Sequence, residues 1–318
     1  MKTVKLILLI ITCWLFISAS EPKTIYMILW RGETQAEKGF MNYLKSADNS
    51  INFLIRNCDK DKSKISSYIS EINTLKPDLI YTFGTTVTTL LANKFDNPNN
   101  IPIVFNIVSD PIKAGILTKD NLSKKNITGA SHSVPVESQI KAIRKIIDFK
   151  KVGHFYNGTE KNSLFQKEAL EDFAKSDSFS LISFDIKNNI DENDIINFLK
   201  IEKPDIIYLP SDSYLISNAK RIIAIFNQNN IPVYSATEGP LRDAGAMFGL
   251  VSRYYNVGQL AGHKAVQILF DNTPASEIKF ETLKRFSFII NIETSKKIEL
   301  IPPLSVMKFA EIIKSTNK

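Results

Sequence analysis

Two carboxylates, Asp110 and Glu238, each close a short apolar run and stand just ahead of a Pro or Gly, in the contexts Ser109-Asp110-Pro111 and Thr237-Glu238-Gly239. Two acids facing each other across a gap can hydrolyse a bond as general acid and base. Nothing reactive accompanies this pair. The chain has no G-x-S-x-G elbow, no phosphate loop and no Gly-rich dinucleotide fingerprint, and Phe83-Gly84-Thr85 is the closest it comes to one. His132, His154 and His263 stand far apart in no metal-ligand spacing, and His154 lies inside an apolar run, where a packed core histidine is the ordinary outcome. The chemistry left for the two carboxylates is to orient a bound guest by hydrogen bonds.

Those acids belong to a larger polar set. Trp30, Arg31, Thr85, Thr86, Ser109 and Asp110 follow apolar runs in the first half of the chain; Asn157, Thr159, Glu160, Ser163, Ser211, Asp212, Ser213, Thr237 and Glu238 follow such runs in the second. Nearly all can donate or accept hydrogen bonds. Several open a helix-length segment, where free backbone amides favour an anionic group. Taken singly, each Ser, Thr, Asp or Asn fits helix capping as well as ligand contact. Trp30 could stack on a planar ligand or pack in the core, and Arg31 or Arg253 could clamp a carboxylate or lie exposed.

The elements that must position these residues come in duplicate. KPDLIYTFGT from Lys76 recurs as KPDIIYLPSDS from Lys203, IPIVFNIVSDPIKAG from Ile101 as IPVYSATEGPLRDAG from Ile231, and IYMILWRGET from Ile25 aligns with VGHFYNGTEK from Val152. Three segments repeated in one order at nearly one spacing indicate a duplicated domain. In the first unit, apolar runs at 25–30, 51–55, 79–83 and 103–105 alternate with helical patterns near 36–46, 62–74 and 86–94. In the second, runs at 152–156, 181–184, 206–209 and 233–235 alternate with helices near 163–175, 192–200 and 213–227. Apolar strands separated by helices predict parallel sheets covered on both faces. Proline in Lys-Pro-Asp and Ile-Pro stops each helix before the next strand. Ligands of such sheets sit beyond the carboxyl ends of the strands, where the polar set falls.

Length and composition agree with two lobes: 318 residues, 44% hydrophobic and 23% charged, exceed what one core normally supports. Lys2 and Lys5, an apolar run from Leu6 to Ile17 and Ser18-Ala19-Ser20 ahead of Glu21-Pro22 form the pattern of a secretory signal peptide, cleaved after Ser20. The run is shorter than the ~20 residues that span a bilayer. A lipoprotein acylated at Cys13 is the alternative, with Thr12 bulkier than the small residue expected before such a cysteine. Cleavage leaves Cys58 alone, a buried small hydrophobe with no disulfide partner. The net charge of +7 is scattered among acids with no basic stripe, so nucleic acid is not implied.

Together IPIVFNIVSDPIKAG, NITGASHSVPVESQIKAI, VGHFYNGTEKNS, IIYLPSDS, IPVYSATEG and AMFGLVSRYYNVGQLAGHKAVQIL resemble the ABC-transporter substrate-binding family that includes tryptophan- and tyrosine-binding members. The likeness runs from Ile25 to Pro303. It implies an α/β fold of the type I periplasmic binding protein kind: two Rossmann-like lobes with parallel sheets, joined by a three-strand hinge. Lobe 1 would hold residues 21–132 and 251–278, and lobe 2 residues 133–250 and 279–318. The crossings fall near Ser131–Val134, Leu250–Arg253 and Lys279–Leu283, with a last strand at Phe286–Ile290. Carried over by position, Thr85 and Thr86, Asp110-Pro111, Asn157 with Glu160, Asn162 and Ser163, and Asp212 match the family's pattern; Ser252-Arg253 and Trp30-Arg31 depart from it. The resemblance further implies a periplasmic monomer with no catalytic activity and no cofactor. Such a protein takes a small-molecule ligand, aromatic amino acids first, and passes it to the membrane permease of an ABC importer. A sensory protein that uses the same cleft to signal through a membrane receptor is the alternative.

Overall fold

The computed structural model describes residues 22–119, 126–187 and 189–314. The expected signal segment 1–20, with Cys13, lies outside them; among the described residues no helix is long and apolar enough to cross a membrane.

The first unit runs β1 (Thr24–Leu29), α1 (Gln35–Ala47), β2 (Asn52–Asn57), α2 (Ile65–Leu75), β3 (Leu79–Phe83), α3 (Gly84–Lys94), β4 (Ile103–Val108) and β5 (Ile127–Ser131). The second runs α4 (Val136–Arg144), β6 (Lys151–Tyr156), α5 (Lys161–Asp177), β7 (Ser180–Asp185), α6 (Glu192–Glu202), β8 (Ile206–Leu209), α7 (Ser213–Ser217), α8 (Ala219–Gln228), β9 (Val233–Ser235), α9 (Glu238–Asp243) and β10 (Phe248–Val251). The chain then forms α10 (Tyr254–Leu269), β11 (Glu281–Thr282), β12 (Ser287–Asn291), α11 (Ile292–Lys297), α12 (Leu304–Met307) and β13 (Glu311–Ile313).

Two sheets result, with strand orders β2-β1-β3-β4-β5-β11 and β7-β6-β8-β9-β10-β12-β13. Among the described residues all pairings are parallel except β10 with β12. The duplication reaches atomic detail. Lys76 and Lys203 both end their helices in the left-handed region, at φ 48° and 47°. Two residues on, Asp78 Oδ2 accepts the N–H of Thr24, and Asp205 Oδ2 accepts that of Lys151, each at 2.8 Å. The repeated Lys-Pro-Asp therefore closes a helix and tethers the start of the neighbouring strand in both units.

Buried apolar residues form one cluster around the first sheet and one on each face of the second. The chain passes between sheets after β5, after β10 and after β11. Helix α10 lies tightly on α1: a Cβ at Gly39 would meet the Tyr255 carbonyl at 2.0 Å, and one at Gly258 the Ala36 carbonyl at 2.0 Å. Only glycine permits that approach, and it seats the start of α10 against the first turns of α1.

Some local expectations differ from what the chain does. The helix expected over 213–227 breaks at Asn218, whose φ of −105° and ψ of 10° are non-helical and whose side chain donates to the Tyr214 carbonyl at 2.9 Å. The first sheet takes in Glu281 and Thr282, past residue 278, because β11 pairs with β5. Strand β13 carries no period long enough to read, and it forms only because β12 offers it an edge.

Candidate ligand-binding cleft

The strand tips of both sheets converge. Eight residues of the polar set, Trp30, Arg31, Thr85, Thr86, Ser109, Ser211, Asp212 and Ser213, line a single cavity of about 30 Å³. Two wider openings flank it. One, of about 450 Å³, has Trp30, Thr86, Thr159 and Glu160 on its walls. The other, of about 790 Å³, is bordered by Arg31, Thr237, Glu238, Arg253 and Tyr254. Asp110, Asn157 and Ser163 are not among the residues lining these three spaces.

Local chemistry explains each placement. The loop carrying Trp30 and Arg31 is held from β2: Asn57 Oδ1 accepts the Gly32 N–H at 2.9 Å, and the Trp30 carbonyl accepts the Lys60 N–H at 2.8 Å. Ser109 donates its N–H to Thr85 Oγ1 at 3.3 Å, and its carbonyl accepts from the Ser131 and Ser133 hydroxyls. Asp110 caps its own turn, accepting the N–H groups of Ile112 at 3.1 Å and Lys113 at 2.9 Å. Asn157 Oδ1 takes the N–H and hydroxyl of Thr159, while Ser163 Oγ takes the Asn157 N–H at 2.9 Å. These residues shape the turn that presents Glu160 and Asn162. Glu160 in turn accepts the Ser213 N–H at 3.1 Å, and Asn162 donates to the Ser211 carbonyl at 2.5 Å.

The two candidate arginines part company. Arg253 donates to Ser287 Oγ at 2.9 Å and pairs with Glu311. Arg242 bridges Glu311 and Glu238 at 2.9 and 2.7 Å, so the Glu238 carboxylate is already matched by a cation. Arg31 stacks over the Phe83 ring at 5.7 Å, and its Nη1 has no partner.

That orphan has company. Around the small cavity, Trp30 Nε1, Arg31 Nη1, Ser109 Oγ, His132 Nδ1 and Asp212 Oδ2 are buried without a hydrogen-bond partner among the described residues, and the buried Tyr254 OH has at most Ser211 beside it. Leaving one such group unmet costs about 1–3 kcal/mol, so native structures rarely gather several unless something fills them. Asp212 is fully buried; its Oδ1 caps α7 through the Leu215 N–H at 2.8 Å, and its other oxygen is free. Burial, and secondarily the nearby Glu160, pushes its carboxyl up to about 7. His132, whose Nε2 lies 3.0 Å from Ser211 Oγ, is pushed down to about 4, first by burial and then by Arg31, and is neutral at pH 7.

Backbone strain marks the same place. Ile107 has φ 56° where β4 slips register between Asn106 and Val108, a conformation that β-branched residues avoid. Asn106 holds it, its Oδ1 accepting the Ile107 N–H at 3.0 Å while its Nδ2 donates to the Tyr81 hydroxyl at 3.1 Å. The residue types alone did not point to Phe83, Ile107, His132, Ile216 or Tyr254 as cavity walls. His132 and Tyr254 had a usable signal: the first stands in an expected crossing and the second directly follows one, and crossings have to form the floor of a gap between lobes.

A family profile described as ABC transporter substrate binding protein matches residues 27–314. A tyrosine-binding protein of Clostridioides difficile (strain R20291) is 28% identical over 272 residues, covering 84% of this chain and 77% of its own. Among solved structures, a conserved domain protein of Vibrio cholerae superposes with a TM-score of 0.82 at 22% identity, over 92% of this chain and 99% of that one. The ABC domain of Streptococcus pneumonia in complex with L-Trp gives 0.81 at 20% identity, over 92% and 100%.

Proposed function

Since the chain belongs to the ABC transporter substrate-binding protein family and has the type I periplasmic binding protein fold, a family of binding proteins rather than enzymes, we propose that it captures an amino acid between its lobes for import. The single observation behind this reading is the group of unpartnered polar atoms, drawn from both lobes and turned onto one cavity. Their signs are ordered. Lobe 1 supplies the Arg31 cation and the uncapped amino end of α3, which favour a carboxylate. Lobe 2 supplies Asp212, an acceptor suited to an ammonium group. A zwitterion satisfies both walls at once, and an anion or a neutral sugar satisfies only one.

Trp30, Arg31, Thr85, Thr86, Ser109, Ser211 and Asp212 are the proposed ligand contacts, with His132 and Tyr254 added as the floor. Binding would draw the lobes together by making contacts that the open form lacks. The protein would act outside the cytoplasm, after export through its amino-terminal signal, and would pass its ligand to an ABC permease. The tyrosine- and L-Trp-binding relatives favour an amino acid over other small metabolites.

Native mass spectrometry of the purified protein, followed by calorimetric titration with amino acids, tests the reading. An amino acid that copurifies, and whose affinity falls at least tenfold in Arg31→Ala, is the expected result. Binding of sugars or dicarboxylates with no amino acid bound would overturn it.

A further inference from the structure

Granting the amino-acid reading above, we infer that Trp30 sets an upper limit on ligand size, so that the site takes a small amino acid of the glycine, alanine or serine class in preference to an aromatic one. The cavity holds about 30 Å³. A cavity of roughly 10–15 Å³ accommodates one water, so the space suits a compact headgroup and little more. An aromatic side chain carries about 150–250 Å² of surface of its own to bury.

The walls resist enlargement. Phe83 meets Tyr254 edge to face with ring centroids 6.5 Å apart, and Tyr254 meets His132 in the same manner at 5.8 Å. Arg31 lies over the Phe83 ring. Ile107 is pinned by Asn106 and cannot swing without rebuilding the β4 bulge. Rings packed at interior density do not yield gradually; one of them has to leave.

The cavity has two partitions: Arg31, Ile216 and Tyr254 separate it from the opening of about 790 Å³, and Trp30 with Thr86 separates it from the other. Trp30 and Thr86 line both the cavity and the opening of about 450 Å³. The indole, 7% exposed, therefore partitions the headgroup space from a volume large enough for an aromatic side chain. Truncating it joins the two.

The test is calorimetric titration of the purified protein, freed of copurified metabolite by partial unfolding and dialysis, with glycine, L-alanine, L-serine, L-tyrosine and L-tryptophan. The wild-type protein should bind at least one small amino acid tenfold or more tighter than either aromatic one. Trp30→Ala should reverse that order, and Trp30→Phe, which keeps a ring in the partition, should retain it. Tighter binding of tyrosine or tryptophan by the wild-type protein would overturn the size limit and leave the amino-acid reading intact. An unchanged order in a folded Trp30→Ala would remove Trp30 as its cause. Binding of none of the five by the wild-type protein would overturn the size limit, and the copurified metabolite would then decide the amino-acid reading.

Discussion

The turn after β3 and the turn after β8 occupy equivalent places in the two units, yet they are built to opposite ends. In the first, Gly84 opens α3 at φ 86° and no side chain caps the helix. In the second, Ser211 stands at the Gly84 position and Asp212 at that of Thr85. Asp212 caps α7, Glu160 takes the Ser213 amide, and Gln166 takes the Ser211 amide at 2.6 Å. One turn leaves its helix end without a side-chain cap, and the other satisfies its donors and leaves an acidic oxygen at the cavity. Duplication thus supplied the frame, and divergence at two or three positions gave the cleft a polarity that matches a guest with one positive and one negative end.

The largest effect should come from erasing the acidic side of this contrast. Asp212→Asn retains an oxygen for the Leu215 amide but cannot meet an ammonium group as an anion. Removing one partner of a buried charged pair costs about 2–5 kcal/mol, so ligand affinity should fall by roughly 30-fold or more in calorimetry. Stability should move the other way. The folded protein holds the Asp212 proton up to about pH 7, whereas the unfolded chain releases it near pH 4. This group's contribution is therefore most favourable below pH 4 and is lost as pH rises through 7. Thermal denaturation should find Asp212→Asn more stable than wild type at pH 8, with the gap closing toward pH 4. A mutant less stable than wild type at pH 8 would mean that the carboxylate is already paired in the free protein.

The same titration makes binding proton-linked. Arg31, Glu160, His132 and Tyr254 surround Asp212, and of these His132, held near 4, is neutral across the relevant range. An ammonium guest draws the Asp212 carboxyl back toward its ordinary range, so binding releases a proton between about pH 5 and 7. Affinity should drop roughly 20-fold from pH 7.5 to pH 5.5. Calorimetry in buffers of different ionisation enthalpy should show the released proton in the wild type and none in Asp212→Asn.

The donor side offers a smaller handle. A Cβ at Gly84 meets nothing within 4 Å, so Gly84→Ala isolates the strain of a positive φ. The expected cost is about 1 kcal/mol of stability, with affinity falling a few-fold as the first amides of α3 shift. The comparison would fail if alanine were accepted at no cost in either.

How much of this was legible beforehand follows from where the determinants reside. The duplicated sheets were readable because apolar runs, Lys-Pro-Asp and Ile-Pro are local signals, and they give the same strand order twice. The strand-tip residues that converge were readable for the same reason. The division of labour among them was not. Asp110 and Asp212 look alike in sequence, each an acid ending an apolar run before a helix or turn. Asp110 spends its carboxylate on the amides of Ile112 and Lys113, while Asp212 keeps an oxygen free because Glu160, from a distant turn, helps cap α7. The β4 bulge that points Ile107 at the cavity depends on Asn106 meeting Tyr81, which in turn donates to Glu37 at 2.6 Å. Contacts that join three separate elements leave no periodicity in the chain.

Glu238 provides the finest test, since its type and position fit a ligand contact as well as those of Asp212 do. Its carboxylate lies 2.7 Å from Arg242, which also holds Glu311, and Arg253 joins the same cluster at the crossing into α10. A carboxylate already balanced by a guanidinium has little attraction left for a ligand ammonium, and a partly exposed pair of this kind contributes about 0–1 kcal/mol. Glu238→Gln should therefore leave ligand affinity within about twofold while lowering the melting temperature slightly. A loss comparable to that of Asp212→Asn would place the ammonium on the wider, 790 Å³ side of the cleft, and the polarity assigned to the two turns would have to be redrawn around Glu238.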